Sequence, residues 1–538
     1  MSIWLILIFI MWGVHLYHRV MYSLHIAQLQ GYDLEKYMEW LRRNKGKVLT
    51  EKTKAFIVVA TALTAIYLLR PFHIGAFTVV WMATSLYAYA FKHHESKKPL
   101  VLTERAKRLL MGTFLLTVLD FVVVVGMIRL IAGSVHYLPV AAFVLAWSIH
   151  FGTYYIIGGL WLLKPLEKSI NAKYYKLAQN KIESFEDLKT VGITGSYGKT
   201  STKFITATIL EQKFKTYKTP GSYNTPMGLS KAINEELTDQ YDVFVAELGA
   251  ERMGEIKEVA RLVQPNIGII TSIGPCHLET FKTIDNIMKT KYELIEELSE
   301  EGWSIFNYDN DCVKKLADMT YTKKLLYGLK RTNSVDVYAD EIATSSEGST
   351  FTLHIKDKGS VQCTTKLLGK HNILNILAGA AVGYAMGMSL VQIANGIEQI
   401  QPVPHRLQIL DPGTGVIIID DAFNSNPDGA MAALEVLESF KQKRRIVVTP
   451  GMVELGEMEY EENFKFGQKM AEVCDKVVLI GKKRTKPIQE GLLEQHFSEE
   501  DIIVVQSLEA SQKVLQTILK PGDVVLFEND LPDTYNEN

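Results

Sequence analysis

Cysteine is scarce and scattered. Cys276, Cys312, Cys363 and Cys474 are the only four in 538 residues, and no two form a C-x-x-C pair. That argues against a zinc ribbon and against a disulfide framework, and it fits a reducing compartment. An excess of one charge is also missing. The formal net charge is −2, so no polyanion-binding tail is implied and nucleic acid is not an expected partner. The apolar N-terminus has neither a basic leader nor a small-residue cleavage site, unlike a signal peptide. The chain is too long for one domain, and three or four are expected.

Acidic residues are nearly absent from five apolar stretches, 1–17, 55–69, 74–91, 109–128 and 137–163, where Asp120 is the only one. Several approach the ~20 residues that a bilayer-spanning helix needs. The stretches read as five membrane spans in a domain at 1–165, with a four-span alternative in which the hairpin at Arg70-Pro71 is merged or demoted. Lys and Arg number eight in residues 18–54 and six in 92–108, against one each in 70–73 and 129–136. The positive-inside bias then puts the two basic loops in the cytoplasm, the N-terminus outside and everything after Lys164 inside. The expectation is a multi-pass protein of the cell membrane, with the lipid bilayer as a partner and its soluble domains cytoplasmic. Residues 31–44, GYDLEKYMEWLRRN, mix aromatic and basic side chains. They read either as an interfacial helix at the inner leaflet or as a solvated connecting helix. Asp120 reads either as a functional carboxylate or as a structural one paired with Arg129 or a Tyr hydroxyl.

Residues 191–210, VGITGSYGKTSTKFITATIL, have the build of a phosphate-cradling loop. A β-branched strand, Val191 to Thr194, enters a glycine-containing loop, and a Lys-Thr pair opens a helix. Gly195 and Gly198 let backbone N–H groups approach a polyphosphate, with Ser196 and Ser201 in the same loop. Lys199 is placed to neutralise the outer phosphates, and the Thr200 hydroxyl can ligate Mg²⁺. Ile193 stands where the first glycine of G-x-x-x-x-G-K-[ST] belongs, so this is the tighter T-G-x-x-G-K-[ST] form.

The rest of the chain alternates short apolar strands with helical stretches, as at 242–249, 266–273 and 302–309. This is the pattern of a parallel sheet with helices on both faces. Residues 334–366 read as a β-hairpin excursion, and a helix is expected at about 372–388. From 403 a second α/β set supplies five strands, enough for a small doubly wound domain. Pro402-Val403-Pro404 reads as the hinge between the two.

Separated motifs follow one another along this half: TGSYGKTS (194–201), ELGA (247–250), HLE (277–279), MKTKYE (288–293), LGKHNILNILA (368–378), PHR (404–406), DDAFNSNP (420–427) and GMVELG (451–456). In order and spacing they resemble the Mur ligases, the ATP-dependent amide-bond-forming enzymes of peptidoglycan synthesis, over about residues 170–530. The fold class expected is therefore an α-helical transmembrane region followed by two α/β domains. These would be a P-loop Mur-ligase central domain at 170–401 and a Rossmann-like C-terminal domain at 402–538. The resemblance implies a Mg²⁺ site of Thr200, Glu247 and His277, with Lys291 carbamylated into an anionic ligand for a second metal. It implies that Asn375 reads the adenine edge of ATP and that Arg406 reaches the phosphates when the C-terminal domain closes. Asp421 would engage the ribose or bridge the domains, with Asn424 and Asn426 in the same loop. Lys199, Lys291, His277 and Arg406 would carry the catalysis.

The reaction implied moves the γ-phosphate of ATP to a carboxylate of a cell-wall precursor. An amine then attacks the acyl phosphate and forms an amide. ELGA, DDAFNSNP and GMVELG look most like the branch that adds D-alanyl-D-alanine to a UDP-linked muramoyl-tripeptide. Phe423, where that branch commonly has Tyr, is a mild departure. No D-N-P-R sequence occurs, which disfavours the diaminopimelate-adding branch, and the four-cysteine ribbon of the lipid-precursor amidating branch is missing. Apolar spans stand in place of the usual first domain, which holds the uridine nucleotide. A ligase acting on a lipid-linked precursor, a ligase of a poly-amino-acid capsule and an ATP-binding scaffold therefore stay open.

Overall fold

A computed structural model describes residues 3–89, 98–131, 137–330, 334–345, 347–423 and 425–531. They fall into two compact units, Met1–Ala172 and Lys173–Asn538.

The first unit is helical. Its elements are α1 Ile3–Leu29, α2 Leu34–Arg43, α3 Lys45–Val48, α4 Glu51–Leu69, α5 Ile74–Tyr89, α6 Glu104–Ile131 and most of α7 Tyr137–Glu183. Each of the five apolar stretches lies in a separate helix. Among the described residues α4 and α7 are long and apolar enough to cross a membrane, and α5, at 16 residues, is shorter. Large apolar side chains stay exposed on these helices, among them Leu69, Met111, Phe114 and Trp161. The polar groups turned inward are paired. The Trp12 indole N–H donates to Ser148 Oγ at 2.7 Å, and that of Trp81 donates to the Ala142 carbonyl at 3.0 Å. Asp120 accepts from the Tyr155 hydroxyl, a pairing with a tyrosine as one of the readings had it. The Arg129 side chain lies outside the described residues. Helix α2 forms where the 31–44 segment was read, capped by Asp33. Its Tyr37, Trp40 and Leu41 face is buried with residues of α1, α6 and α7. The bundle itself takes the aromatic side of α2, while Glu35, Lys36, Glu39, Arg42 and Arg43 stay exposed.

The second unit holds two sheets. The strands of the larger are β1 Lys189–Thr194, β2 Thr216–Lys218, β3 Val243–Glu247, β4 Ile267–Ile270, β5 Trp303–Asn307, β6 Lys324–Gly328, β7 Val337–Ser345, β8 Gly348–Ile355 and β9 Gly359–Thr365. Their order is β2-β3-β1-β4-β5-β6-β7-β8-β9, parallel up to β7 and antiparallel beyond it. Strands β1, β3 and β4 are buried throughout or nearly so, as continuous apolar runs covered on both faces must be. The chain leaves β1 to one side for β2 and β3 and returns on the other at β4. The carboxyl end of β1 is therefore the switch point, where such sheets open a crevice.

The smaller sheet comprises β10 Gln408–Leu410, β11 Ile417–Asp421, β12 Arg445–Thr449, β13 Lys476–Ile480, β14 Ile502–Val505 and β15 Val524–Glu528, in the order β10-β11-β15-β12-β13-β14. Three departures from the sequence reading are local. Strands β2, β6 and β10 were not foreseen, two of them being only three residues long. Residues 337–365 make a three-stranded meander, β7 to β9, rather than one hairpin. The helix after it runs Lys370–Ala385, two residues early at its start and three at its end.

In the C-terminal sheet domain the helices Glu459–Val473 and Lys486–Glu494 meet at bare backbone. A Cβ on Gly467 would lie 2.2 Å from the Ile488 carbonyl oxygen, and one on Gly491 would lie 2.2 Å from that of Phe464. Neither atom can rotate away. Gly467→Ala should therefore destabilise this domain by about 1–3 kcal/mol, the usual cost of overpacking a core. A urea titration that leaves the midpoint of its transition unmoved would contradict this packing.

Candidate active site

The loop that follows β1 is shaped by what surrounds it. Gly195 has φ +151°, and a Cβ there would lie 2.0 Å from Thr271 Oγ1, so no other residue fits. Thr271, just past β4, donates to the Tyr197 carbonyl at 2.6 Å. Ser196 Oγ donates to the Gly274 carbonyl at 3.0 Å, and the Ser196 N–H to that of Ser272 at 2.7 Å. The loop is thus fastened to the neighbouring strand and leads into α8 Lys199–Leu210. The Lys199 ammonium donates to the Gly195 and Ser196 carbonyls at 2.8 and 3.0 Å. Burial holds it below the usual lysine range, against the pull of Glu247.

Glu247 ends β3, which lies beside β1 in parallel register, Ile193 against Glu247. Its carboxylate is only 2% exposed. Thr200 Oγ1 donates to it at 2.8 Å and Asn224 Nδ2 at 2.9 Å, while the fully buried Lys203 ammonium stands 3.5 Å away. Lys203 also donates to the Gly221 carbonyl. Every oxygen of this buried carboxylate therefore has a polar partner, which burial of a charge requires.

A cavity of about 480 Å³ opens above the loop. Of the residues singled out in the sequence, Ser196, Gly198, Lys199, Thr200, Ser201, Glu247, His277, Asn375, Arg406 and Asp421 all line it. Gly195 lies beneath, holding Lys199. Lys291 does not line the cavity. It is buried, with its ammonium 5.7 Å from the Phe281 ring centroid. Burial and the nearby Lys199 charge lower it to about 7. His277 sits on a left-handed turn, φ +47°, with Nδ1 3.3 Å from Glu454 of the C-terminal domain. Among the described residues no three His, Cys, Asp or Glu side chains stand close enough to hold a metal by themselves. Asn375 is held by protein, its Oδ1 accepting from the Thr202 hydroxyl at 3.1 Å and its Nδ2 reaching Asn372 at 3.4 Å. Asn426 caps the next helix through the Gly429 N–H, and Asn424 lies outside the described residues.

The C-terminal side of the cavity is built from two adjacent strand ends. Asp421 of β11 and Glu528 of β15 are register partners. Burial raises both, Asp421 to about 6, and the Asp421 charge raises Glu528 further, whereas the hydrogen bond from Glu528 lowers Asp421. Arg406, just after the hinge, opposes that and lies with its guanidinium 4.5 Å from the Phe423 ring centroid. Sequence reasoning missed Glu528, Lys203, Asn224 and Glu454. Lys203 had a usable signal, since it follows Lys199 by one helical turn on α8. Glu528 had none, because its strand pairs in parallel with β11 across a connection about a hundred residues long.

Comparison with known proteins follows this geometry. The Mur ligase middle domain matches residues 193–383, and the Mur ligase glutamate ligase domain matches 405–528. The chain is 31% identical over 365 residues to UDP-N-acetylmuramoyl-tripeptide–D-alanyl-D-alanine ligase of Mycobacterium tuberculosis (strain CDC 1551 / Oshkosh), covering 63% of this chain and 70% of that one. It is 31% identical over 335 residues to the enzyme of that name from Escherichia coli (strain K12), covering 62% and 74%. Among solved structures, MurF of Acinetobacter baumannii superimposes with a TM-score of 0.60 at 27% identity, over 68% of this chain and 78% of that one. MurF of Thermotoga maritima in complex with ADP gives 0.60 at 27%, over 67% and 80%. A fastened phosphate loop facing a second α/β domain defines a nucleotide-dependent ligase, and the chain belongs to the Mur ligase family.

Two outcomes test the site. Glu247→Gln leaves Lys203 buried without its counter-charge and should lower stability by about 3–5 kcal/mol. Adding Lys203→Met should restore most of that stability without restoring ATP turnover, and a strictly additive double variant would refute the pairing. Lys291→Met removes an amine whose burial resists protonation. The folded-state penalty is fully present below pH 7 and vanishes above the ordinary lysine value, so the variant's gain in melting temperature should be largest near pH 6 and fade towards pH 10.

Proposed function

We propose that this chain is a membrane-anchored, ATP-dependent ligase that joins an amino acid or dipeptide amine, D-alanyl-D-alanine foremost, to the peptide carboxylate of a muramoyl-tripeptide precursor. The observation that carries this reading is the single cavity that gathers the phosphate loop, Glu247, His277 and Arg406. Lys199 and Arg406 offset charge on a transferring phosphoryl group from two sides. The carboxylate becomes an acyl phosphate, which the amine attacks with loss of phosphate. A cleft lined by both domains excludes the water that would hydrolyse that intermediate.

Mg²⁺ fits the residues present. Thr200 and Glu247 offer a hydroxyl and a carboxylate oxygen side by side, and Mg²⁺ commonly takes one or two carboxylates plus substrate phosphates. When bound, it would screen the phosphate charge. Lys291 is suited to carbamylation because an amine titrating near 7 is substantially neutral at physiological pH, and only the neutral amine attacks CO₂. The carbamate would form as pH rises through about 7. Its carbon should be seen by NMR with ¹³C-bicarbonate at pH 8 and be absent from Lys291→Arg.

Five membrane-crossing helices with cytoplasmic catalytic domains are part of the proposal. The exposed apolar surfaces of α4, α6 and α7 support it, as does the loop charge bias. A second reading, a lipid-linked acceptor, is favoured by one observation. The family match begins only near residue 193, and helices occupy the chain before it. Phosphate release should be measured with ATP, D-alanyl-D-alanine and either UDP-linked or lipid-linked tripeptide. Turnover on the UDP-linked substrate alone defeats the lipid version. No substrate-dependent turnover on either, or turnover surviving Lys199→Ala, defeats the ligase reading.

A further inference from the structure

The cation on the C-terminal side of the cavity is held by a ring and by no acid. Arg406 sits between His405 and Leu407, both in the left-handed region at φ +60° and +47°. Its backbone N–H closes a turn onto the Val403 carbonyl at 3.1 Å. Non-glycine residues in that region store strain, which persists where the surroundings over-determine the geometry. The turn delivers the Arg406 side chain to the cavity wall, where its guanidinium carbon lies 4.5 Å from the Phe423 ring centroid.

Asp421, Glu247 and Glu528 are near enough to act on this charge. Among the described residues none of them forms a hydrogen bond or a close ion pair with it, and each has other partners. Asp421 Oδ1 accepts from the Leu407 N–H at 3.2 Å, and Glu528 Oε1 from the Ser425 hydroxyl at 2.5 Å. Glu247 is taken by Thr200 and Asn224. Even the next acid, Asp420, meets His405 at 2.8 Å. Phe423 lies between the end of β11 and the helix Pro427–Glu438 and is 46% exposed on the cavity wall. A ring so exposed contributes little to a core.

A carboxylate grips a guanidinium by its N–H edges, whereas an aromatic ring grips the face of its plane. Held by the face, the cation keeps its planar N–H fork free, in the geometry that matches two phosphate oxygens at once. An arginine already paired with a buried acid would have to break that pair before meeting a nucleotide.

We propose that Phe423 is a positioning residue whose ring face sets the plane of the Arg406 guanidinium in advance, leaving its N–H donors free for the phosphate oxygens of the incoming nucleotide. The inference rests on the ligase reading, in which Arg406 meets the phosphates.

The test titrates full-length protein in detergent micelles with Mg·ATP and, separately, with adenosine by isothermal calorimetry. Phe423→Leu and Phe423→Met keep bulk and lose the ring face. Each should weaken ATP binding about five- to tenfold and leave adenosine binding unchanged. Phe423→Tyr keeps the face and should stay within about twofold of the wild type. In an Arg406→Gln background, Phe423→Leu should cost less than about twofold, because the ring then has no cation to hold. Unchanged ATP affinity in both ringless variants overturns the inference, as does a full loss that persists in the Arg406→Gln background. An equal loss for adenosine overturns it too, by making the ring a platform for the base. Loss of the folded state in both ringless variants marks the ring as structural and ends the inference. Wild-type protein that binds no ATP, or Arg406→Gln that binds it as well as the wild type, overturns the assignment of Arg406 to the phosphates and the inference with it.

Discussion

One buried carboxylate organises the catalytic half of this protein. Glu247 sits at the end of a central strand, where an acid side chain is tolerated only if its oxygens are answered. Thr200 answers from the phosphate loop, Asn224 from the segment after β2 and Lys203 from α8. These contacts fix the first turn of α8 relative to β3, and so fix the mouth of the loop. The parallel register of β1 and β3 puts the acid at that height, and the switch of chain direction about β1 leaves the space above it open. Stability and chemistry are therefore set by the same contacts, and change at one is felt at the other.

The second domain completes the cavity with the opposite arrangement. Two carboxylates, Asp421 and Glu528, are brought side by side by strand pairing, and a single cation, Arg406, faces them. The cation comes from the segment following Pro402-Val403-Pro404, between the two sheets. His277 and Glu454 meet across the same cleft. The histidine that the sequence offered as a metal ligand is thus a contact between domains.

Much of this was legible in the sequence, for physical reasons. Strands covered on both faces are continuous apolar runs, and β1, β3 and β4 stand out as such. The loop after β1 shows itself because glycine, lysine and threonine have separate tasks there. Short edge strands such as β2 and β10 carry too few residues to show a period. The partners of Glu247 are scattered over sequence, and only the sheet brings Asn224 to it. Lys291 was read as a carbamylated ligand of the second metal, and its side chain is buried and absent from the cavity lining. Spacing on a helix fixes the face of a residue, but which neighbour covers that face is a tertiary matter. The aromatic side of α2 was likewise visible, whereas its burial in the bundle depended on helices far along the chain.

The neighbouring strand ends of the second domain have a consequence of their own. Asp421 and Glu528 hold their protons more tightly than isolated acids do, and the Arg406 guanidinium loosens that hold. Any ligand whose oxygens draw the guanidinium towards themselves leaves the two acids facing each other with less compensation. Proton uptake by the pair would then be favoured. Filling of this cleft by such a ligand would in turn be favoured by acidity.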